Sequence, residues 1–94
     1  MKIRWSPTAV SDLKSIRDYI ARDRPEAAQR VAAAIKEGAT RLADFPSSGR
    51  AGRVPGTHEL VIPGTSYIAV YRVQDDVVEI AAVLHGRQPW PESF

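Results

Sequence analysis

The chain has no cysteine and only two histidines among its 94 residues, which excludes disulfides and cysteine-based metal sites. No apolar run approaches the roughly 20 residues of a membrane-spanning helix. The first predicted helix also begins too early to leave room for the apolar segment of a signal peptide. We therefore expect a single domain over residues 1–94, located in the cytoplasm and without membrane contact.

An excess of charge of one sign is also lacking, since 13 lysines and arginines stand against 11 aspartates and glutamates. The formal net charge of +2 is too small to predict a nucleic-acid partner. Only Lys2, Lys14 and Lys36 are lysines, so the other cations are arginines, whose planar guanidinium suits phosphate and carboxylate groups. A genome rich in G and C favours arginine codons as well, so charge alone decides nothing about function.

Motifs of the common enzyme classes are absent. The sequence contains no P-loop, no dinucleotide-binding fingerprint and no Ser/His/Asp pattern. His58 and His85 lie on different predicted strands, away from any cluster of carboxylates, and do not form a recognisable set of zinc ligands. We therefore expect no metal and no other cofactor.

The sequence does contain the pattern of two helices. Ser6 as N-cap and Pro7 in the first turn predict a helix that ends near Arg22. A second helix runs from Pro25 to about residue 44, and a close crossing of the first helix would explain Gly38 within it. The predicted apolar faces are Ala9, Val10, Leu13, Ile16 and Ile20 in the first helix, and Ala28, Val31, Ala32, Ile35, Ala39 and Leu42 in the second.

Strand patterns lie on both sides of the helices. A short strand over Lys2–Trp5 precedes them, and a loop over Ser47–Gly56 follows. The last part of the chain predicts strands over His58–Ile62, Tyr67–Val73 and Val77–Leu84. The fold class is therefore α+β with the order β-α-α-β-β-β, a helical hairpin packed on one face of a mainly antiparallel four-stranded sheet. The place of the first strand in the sheet stays open.

Side-chain alternation assigns the faces of the last two strands. In the middle strand, Arg72 shares a face with Ile68 and Val70. In the last strand, the residues predicted to face the helices are Val78, Ile80, Ala82 and Leu84. Those predicted to face away are Val77, Glu79, Ala81, Val83 and His85. The face away from the helices is left to solvent or to a partner.

Four features are candidates for chemistry or contacts: Arg50 with Arg53, His58 with Glu59, Arg72, and His85-Gly86-Arg87. RNA cleavage through the 2′-hydroxyl needs a base, an acid and a cation that stabilises the phosphorane. His85, Glu59 and an arginine could fill these roles on paper. The ordinary alternatives are a hydrogen-bonded histidine, a solvated glutamate and solvent-facing arginines.

Trp90, Pro91 and Phe94 form an aromatic C-terminal segment after these candidates. In one interpretation Trp90 folds back onto the sheet edge and fixes the end of the chain. In the other the segment docks on a partner, because tryptophan and arginine are strong interface anchors. Trp5, near the other end, is expected in the core.

Short segments along nearly the whole chain stand in a characteristic order and spacing: Trp5–Ala9, Asp12-Leu13, Ile16, Tyr19-Ile20, Phe45-Pro46, Gly49-Arg50, Gly56–Leu60, Tyr67–Val73 and Val83–Pro91. Taken together, they resemble the RelE/ParE superfamily of toxins from type II toxin–antitoxin systems. The resemblance implies a β-α-α-β-β-β fold and growth inhibition when the cognate antitoxin is lost. It also implies that a disordered antitoxin tail folds across the toxin in a hetero-oligomer.

The superfamily divides by target. RelE-like members cleave mRNA on the ribosome with basic residues on the sheet, where this chain has Ile68, Glu59 and Val61 instead. The His-Gly-Arg ending and the Phe-Pro…Gly-Arg loop look more like ParE-type members, which poison DNA gyrase and are not enzymes. The resemblance therefore implies a ParE-like block of DNA gyrase, with a RelE-like ribosome-dependent mRNA endoribonuclease as the alternative.

The two interpretations assign different roles to the candidate residues. For a gyrase poison, we expect target contacts from Arg50, Arg53, His58, Glu59, Arg87 and Trp90. For a ribonuclease, catalysis falls to His85, Arg87 and Arg72. Whether the protein is an enzyme therefore follows from its target.

Overall fold

The computed structural model describes residues 1–94 and has a helical hairpin on one face of a five-stranded sheet. The strand order is β1-β5-β4-β3-β2. The predicted α+β class is confirmed, with one strand more than the four expected. The elements are β1 (Lys2–Trp5), α1 (Pro7–Ala21), α2 (Pro25–Arg41), β2 (Arg50–Ala51), β3 (His58–Val61), β4 (Tyr67–Gln74) and β5 (Val77–His85).

β1 takes the edge position that the sequence left open. It pairs in parallel with β5, with Ile3 opposite Val78 and Arg4 opposite Glu79, whereas every other pair of strands is antiparallel. Its alternate residues Ile3 and Trp5 pack against the main core. The predicted core position of Trp5 is therefore confirmed.

β2 is the additional strand and lies within the stretch predicted as loop. Arg50 pairs with Glu59 and Ala51 pairs with His58. Both residues of β2 are exposed, and so short a strand shows no alternating apolar pattern in the sequence. Its pairing with β3 is what reveals it.

α1 begins as predicted, with the Ala9 N–H donating to Ser6 Oγ at 3.0 Å and Pro7 in the first turn. Its buried face is narrower than the predicted stripe. Ala9 is fully buried, but Val10 is 55% exposed, because each helical residue turns the chain by about 100°. Neither helix is long and apolar enough to cross a bilayer.

α2 buries the predicted face, but the expected neighbour of Gly38 was wrong. A Cβ at Gly38 would lie 3.0 Å from Cδ1 of Ile62 and 3.5 Å from Cδ2 of Leu60. The glycine therefore allows α2 to approach the sheet at β3, not α1. Its buried neighbours along the helix and just after it are Ala28, Ala32, Ile35, Ala39 and Leu42.

A β-bulge interrupts the pairing of β4 with β5. Tyr71 is paired with Ile80 and Val70 with Ala82, so Ala81 has no partner on β4. One extra residue in a strand moves every following side chain to the opposite face. The predicted alternation therefore holds before Ala81 and fails after it.

The bulge corrects the predicted faces in the second half of β5. Val78 and Ile80 lie in the main core beneath the helices, as predicted, but Val83 joins them there. Ala82 and Leu84 instead form a smaller apolar cluster with Val70. The predictions for Val83, Ala82 and Leu84, and by the same reversal for His85, were wrong.

The sheet thus has apolar contacts on both faces. The smaller cluster lies on the face away from the helices, called the distal face below, and Trp90 and Phe94 pack against it. The C-terminal segment folds back onto the sheet, as one interpretation expected, but Trp90 packs on the distal face of β4 and β5 and not on the sheet edge. On β4, Arg72 and Val70 share one face as predicted, and the structure shows that it is the distal face, where Arg72 contacts Glu79.

The first turns of α1 provide hydrogen bonds to the β5 main chain at the bulge. β1 ends at Trp5, and beyond it Ser6 Oγ donates to the Ala81 carbonyl at 2.9 Å. The Val83 N–H donates to Asp12 Oδ2 at 2.9 Å. Burial raises the pKa of the Asp12 carboxyl above its ordinary value of 3.8, and the hydrogen bond from Val83 offsets part of that rise.

Asp12 gives a stability prediction. Asp12→Ala leaves the Val83 N–H without its acceptor and should lower the free energy of unfolding by about 1–3 kcal/mol. Asp12→Asn keeps an acceptor oxygen and should cost less. Because the pKa is raised in the folded state, Asp12 stabilises the fold below its ordinary pKa, and this contribution is lost as pH rises through the folded pKa. In urea unfolding, the free energy of unfolding of the wild type should therefore rise relative to that of Asp12→Asn as pH falls. A difference that does not change with pH would contradict this prediction.

Candidate functional site

The distal face near β2 and β3 is organised around the carboxylate of Glu59, which is only 2% exposed. Its Oε1 accepts hydrogen bonds from Nε and Nη2 of Arg50 at 3.2 and 3.0 Å. Its Oε2 accepts from the main-chain N–H and the Nε of Arg53 at 2.8 and 3.3 Å. A buried carboxylate is tolerated when both oxygens are bonded to charged donors in this way.

These contacts keep Glu59 ionised. Burial raises the pKa of its carboxyl, but the hydrogen bonds from Arg53 and Arg50 and the Arg53 charge outweigh burial and hold the pKa below its ordinary value of 4.5. Arg50 and Arg53 keep 57% and 46% of their side chains exposed. Arg50 and Arg53 therefore expose positive charge to solvent, while the negative charge of Glu59 lies buried beneath them.

Tyr71 anchors the loop that carries these arginines. Its hydroxyl donates to the Pro46 carbonyl at 2.8 Å and accepts the Gly49 N–H at 3.0 Å. A Cβ at Gly49 would come within 2.5 Å of the Tyr71 hydroxyl and 2.8 Å of the Glu59 carbonyl, so only glycine fits. The sequence places Tyr71 in a predicted strand but does not show that its hydroxyl reaches this loop.

Trp90 completes the arrangement. The guanidinium carbon of Arg53 lies 3.5 Å from the centre of the Trp90 ring, and the indole N–H donates to the His85 carbonyl at 3.3 Å. Arg53 is thus held between a carboxylate and an aromatic ring, a favourable arrangement for a cation. Four residues predicted for target contact, Arg50, Arg53, Glu59 and Trp90, are therefore brought together.

His58 and His85 lie elsewhere. His58 stacks on Tyr71 at 5.3 Å between ring centres, and His85 contacts the edge of Tyr67 at 5.5 Å. Tyr71 and Tyr67 both pack against the main core. Both histidines are therefore on the helical side of the sheet, which for His85 follows from the bulge.

The residues predicted for ribonuclease catalysis are not brought together. Arg72 lies on the distal face with Nη1 3.5 Å from Glu79 Oε1, and its Nη2 bonds the main-chain oxygen of Phe94. His85 is across the sheet, where its Nδ1 accepts the Arg87 N–H at 3.0 Å. The Arg87 side chain is exposed. No group of three or more histidine, aspartate or glutamate side chains is placed to hold a metal ion.

Arg4 is a charged residue of this face that sequence analysis did not single out. Its Nη2 lies 3.1 Å from Glu79 Oε2, so Glu79 is shared between Arg4 and Arg72. The signal is the alternation in β1, since Ile3 and Trp5 face the core and Arg4 must face away. Identifying its partner required the β1–β5 register.

Glu59 gives a second prediction. Glu59→Gln removes the negative charge between two guanidinium groups and should lower the free energy of unfolding by about 1.5–3 kcal/mol near neutral pH. Because the folded pKa is lowered, this stabilisation is present above the ordinary pKa and disappears as pH falls through the folded value. The free energies of unfolding of the wild type and Glu59→Gln, measured with urea, should therefore converge at acidic pH. A difference that persists at the lowest accessible pH would show that the charge is not responsible.

The chain is similar in sequence to known toxins. The family described as "ParE toxin of type II toxin-antitoxin system, parDE" matches residues 3–90. The protein Y4kP of Sinorhizobium fredii (strain NBRC 101917 / NGR234) is 45% identical over 91 residues, covering 97% of this chain and 94% of that protein. Toxin RelE2 of Caulobacter vibrioides is 37% identical over 85 residues, covering 90% and 94%.

A solved structure supports the same relationship. The fold is similar to a chain of the "Chromosomal ParDE TA system from P. aeruginosa", with a TM-score of 0.80 and 27% sequence identity. The match covers 88% of this chain and 92% of that chain. Sequence and architecture therefore agree over nearly the full length.

Proposed function

Since the chain belongs to the ParE family of toxins from type II toxin–antitoxin systems, we propose that it arrests growth by blocking DNA gyrase through protein contacts. The observation that carries this proposal is the cluster of Arg50, Arg53 and Trp90 around the buried Glu59. This surface is suited to protein contact, because the Glu59 carboxylate beneath the two arginines already holds them in place. Ordered side chains lose less conformational entropy when they bind.

The members of the cluster have different tasks in this proposal. Arg50 and Arg53 contact the target with their exposed guanidinium groups, and Arg87, exposed on the C-terminal segment, contributes a further cation. Glu59 is too buried for contact and acts by holding the two arginines. His58, on the other face of the sheet, has the weakest claim to target contact.

The alternative is RelE-like cleavage of mRNA on the ribosome, favoured by the 37% identity to Toxin RelE2. Two features of the site favour gyrase inhibition over mRNA cleavage. His85 and Arg72 lie on opposite faces of the sheet, and Ile68, where RelE-like members carry a basic residue, is buried. An acid or base needs to approach the same phosphate as the stabilising cation. On this proposal the protein is not an enzyme.

Membership of this toxin family supports two further proposals, which are an antitoxin partner and a cytoplasmic location. A cognate antitoxin forms a hetero-oligomer with toxins of this kind, and the solved structure to which this fold is similar comes from a ParDE toxin–antitoxin system. We propose that such an antitoxin neutralises this chain. Gyrase acts on the chromosome, so the cytoplasm stays the predicted location.

Arg87 gives the test of the target, because its side chain makes no hydrogen bond or ion pair within the chain. Relaxed plasmid incubated with gyrase, ATP and the wild-type protein should remain relaxed or become cleaved. Arg87→Glu should raise the concentration needed for inhibition about tenfold, equivalent to ~1.4 kcal/mol. Arg30→Glu, a matched reversal at an exposed arginine of α2, should leave inhibition unchanged.

Two results would contradict the proposal. Normal supercoiling at an excess of wild-type protein would exclude gyrase as the target. The ribonuclease alternative predicts mRNA cut within codons in a translating extract, and loss of that cleavage in His85→Ala. On the gyrase proposal, His85→Ala inhibits supercoiling as the wild type does and the extract's mRNA stays intact.

A further inference from the structure

The C-terminal segment, residues 86–94, has no helix or strand and yet is attached to the distal face. Trp90 and Phe94 pack against Val70, Ala82 and Leu84, which are at most 8% exposed. The Trp90 N–H bonds the His85 carbonyl, and Arg72 bonds the main-chain oxygen of Phe94. Apolar contacts and hydrogen bonds thus hold the segment at two separate points.

Arg53 is the only charged side chain that joins this segment to the loop before β3. Its Nε is 3.3 Å from Glu59 Oε2, and its guanidinium lies over the Trp90 ring at 3.5 Å. Neither Nη atom of Arg53 makes a hydrogen bond within the chain. The fork formed by these two nitrogens therefore stays free in a side chain that is otherwise held.

We infer that Trp90 is a positioning residue, which orients the Arg53 guanidinium to receive a carboxylate of the target protein. This inference rests on the proposed contact function of Arg53. An arginine fork binds a carboxylate through two parallel N–H···O bonds, which requires a defined orientation. A free arginine side chain has considerable rotamer entropy, and the contacts with Glu59 and Trp90 already restrict it in Arg53. Trp90 thereby contributes to target binding through the Arg53 side chain that it orients.

A carboxylate fits this site better than a phosphodiester backbone. The buried Glu59 neutralises part of the positive charge of Arg50 and Arg53, and Glu79 does the same for Arg4 and Arg72 on this face. Nucleic-acid surfaces usually carry an unneutralised row of cations. A single oriented fork is instead suited to one acidic side chain.

The competing explanation is that Trp90 only covers apolar surface. Two substitutions separate it from positioning. Trp90→Phe keeps an aromatic face under Arg53, while Trp90→Leu keeps apolar burial without a π-system. Phe94→Leu is the matched control, because Phe94 packs on the same cluster and is 6.4 Å from Trp90 between ring centres without contacting Arg53.

The experiment measures gyrase inhibition and urea unfolding for all three variants. We expect Trp90→Phe to inhibit within about threefold of the wild type and Trp90→Leu to lose about tenfold or more, equivalent to ~1.4 kcal/mol. Phe94→Leu should inhibit normally even where it unfolds as easily as Trp90→Leu. Equal inhibition by Trp90→Leu and Trp90→Phe would overturn the positioning role.

Arg53→Lys tests the same inference with Trp90 itself unchanged. Lysine keeps the charge but lacks the fork, so inhibition should fall as it does in Trp90→Leu. Wild-type inhibition by Arg53→Lys would overturn the carboxylate fork. This variant keeps the inference testable even if Trp90→Leu fails to fold.

Two further measurements separate failure of this inference from failure of the gyrase proposal. The NMR signal of the Arg53 Nε–H should show a ring-current shift in the wild type that Trp90→Leu abolishes; an unchanged shift would refute the contact. Growth arrest after induced expression reports toxicity whatever the target. If the wild type arrests growth but does not inhibit gyrase, the proposed target is wrong. If Trp90→Leu and Trp90→Phe then arrest growth equally, the positioning role of Trp90 is wrong as well.

Discussion

β5 contains one residue, Ala81, for which β4 has no partner, and the arrangement of the distal face follows from that bulge. Beyond it the strand turns Val83 toward the helices and Ala82 and Leu84 away from them. The two outward residues supply the apolar surface on which the C-terminal segment packs. Ser6 and Asp12 of the α1 region satisfy the main chain at and after the bulge. The helix start and the distal face are therefore linked through β5, although they lie on opposite sides of the sheet.

Two carboxylates of this fold, Asp12 and Glu59, have pKa shifts of opposite direction because their hydrogen-bond donors differ. Asp12 has one main-chain donor, so burial prevails and its pKa is raised. Glu59 has donors from two arginines, which outweigh burial and lower its pKa. The first carboxylate satisfies the backbone of the fold. The second orders cations on the surface, and only the second arrangement leaves exposed charge that a partner can bind.

Toxins of this superfamily share a scaffold, so the target must be argued from the side chains on the sheet. In this chain the distal face pairs nearly every cation with a carboxylate: Arg50 and Arg53 with Glu59, and Arg4 and Arg72 with Glu79. Because four arginines share two carboxylates, about half of the positive charge of these pairs is neutralised, and the guanidinium donors are oriented. That property favours selective protein contact over attraction to the RNA backbone, and it is consistent with the proposed gyrase target.

The sequence by itself determined the fold class, both helices, the three later strands and the family. These features rest on local spacing, caps and turns, as at Ser6-Pro7, or on segments in a fixed order. Only the tertiary structure decided the bulge at Ala81, the β2–β3 pairing, the neighbours of Gly38 and the position of Trp90 under Arg53. The bulge is a change of register by a single residue, and the other three are contacts between residues distant in the chain. Neither kind of feature produces a periodic pattern in the sequence. The side of the sheet on which His85 lies was therefore beyond prediction from alternation.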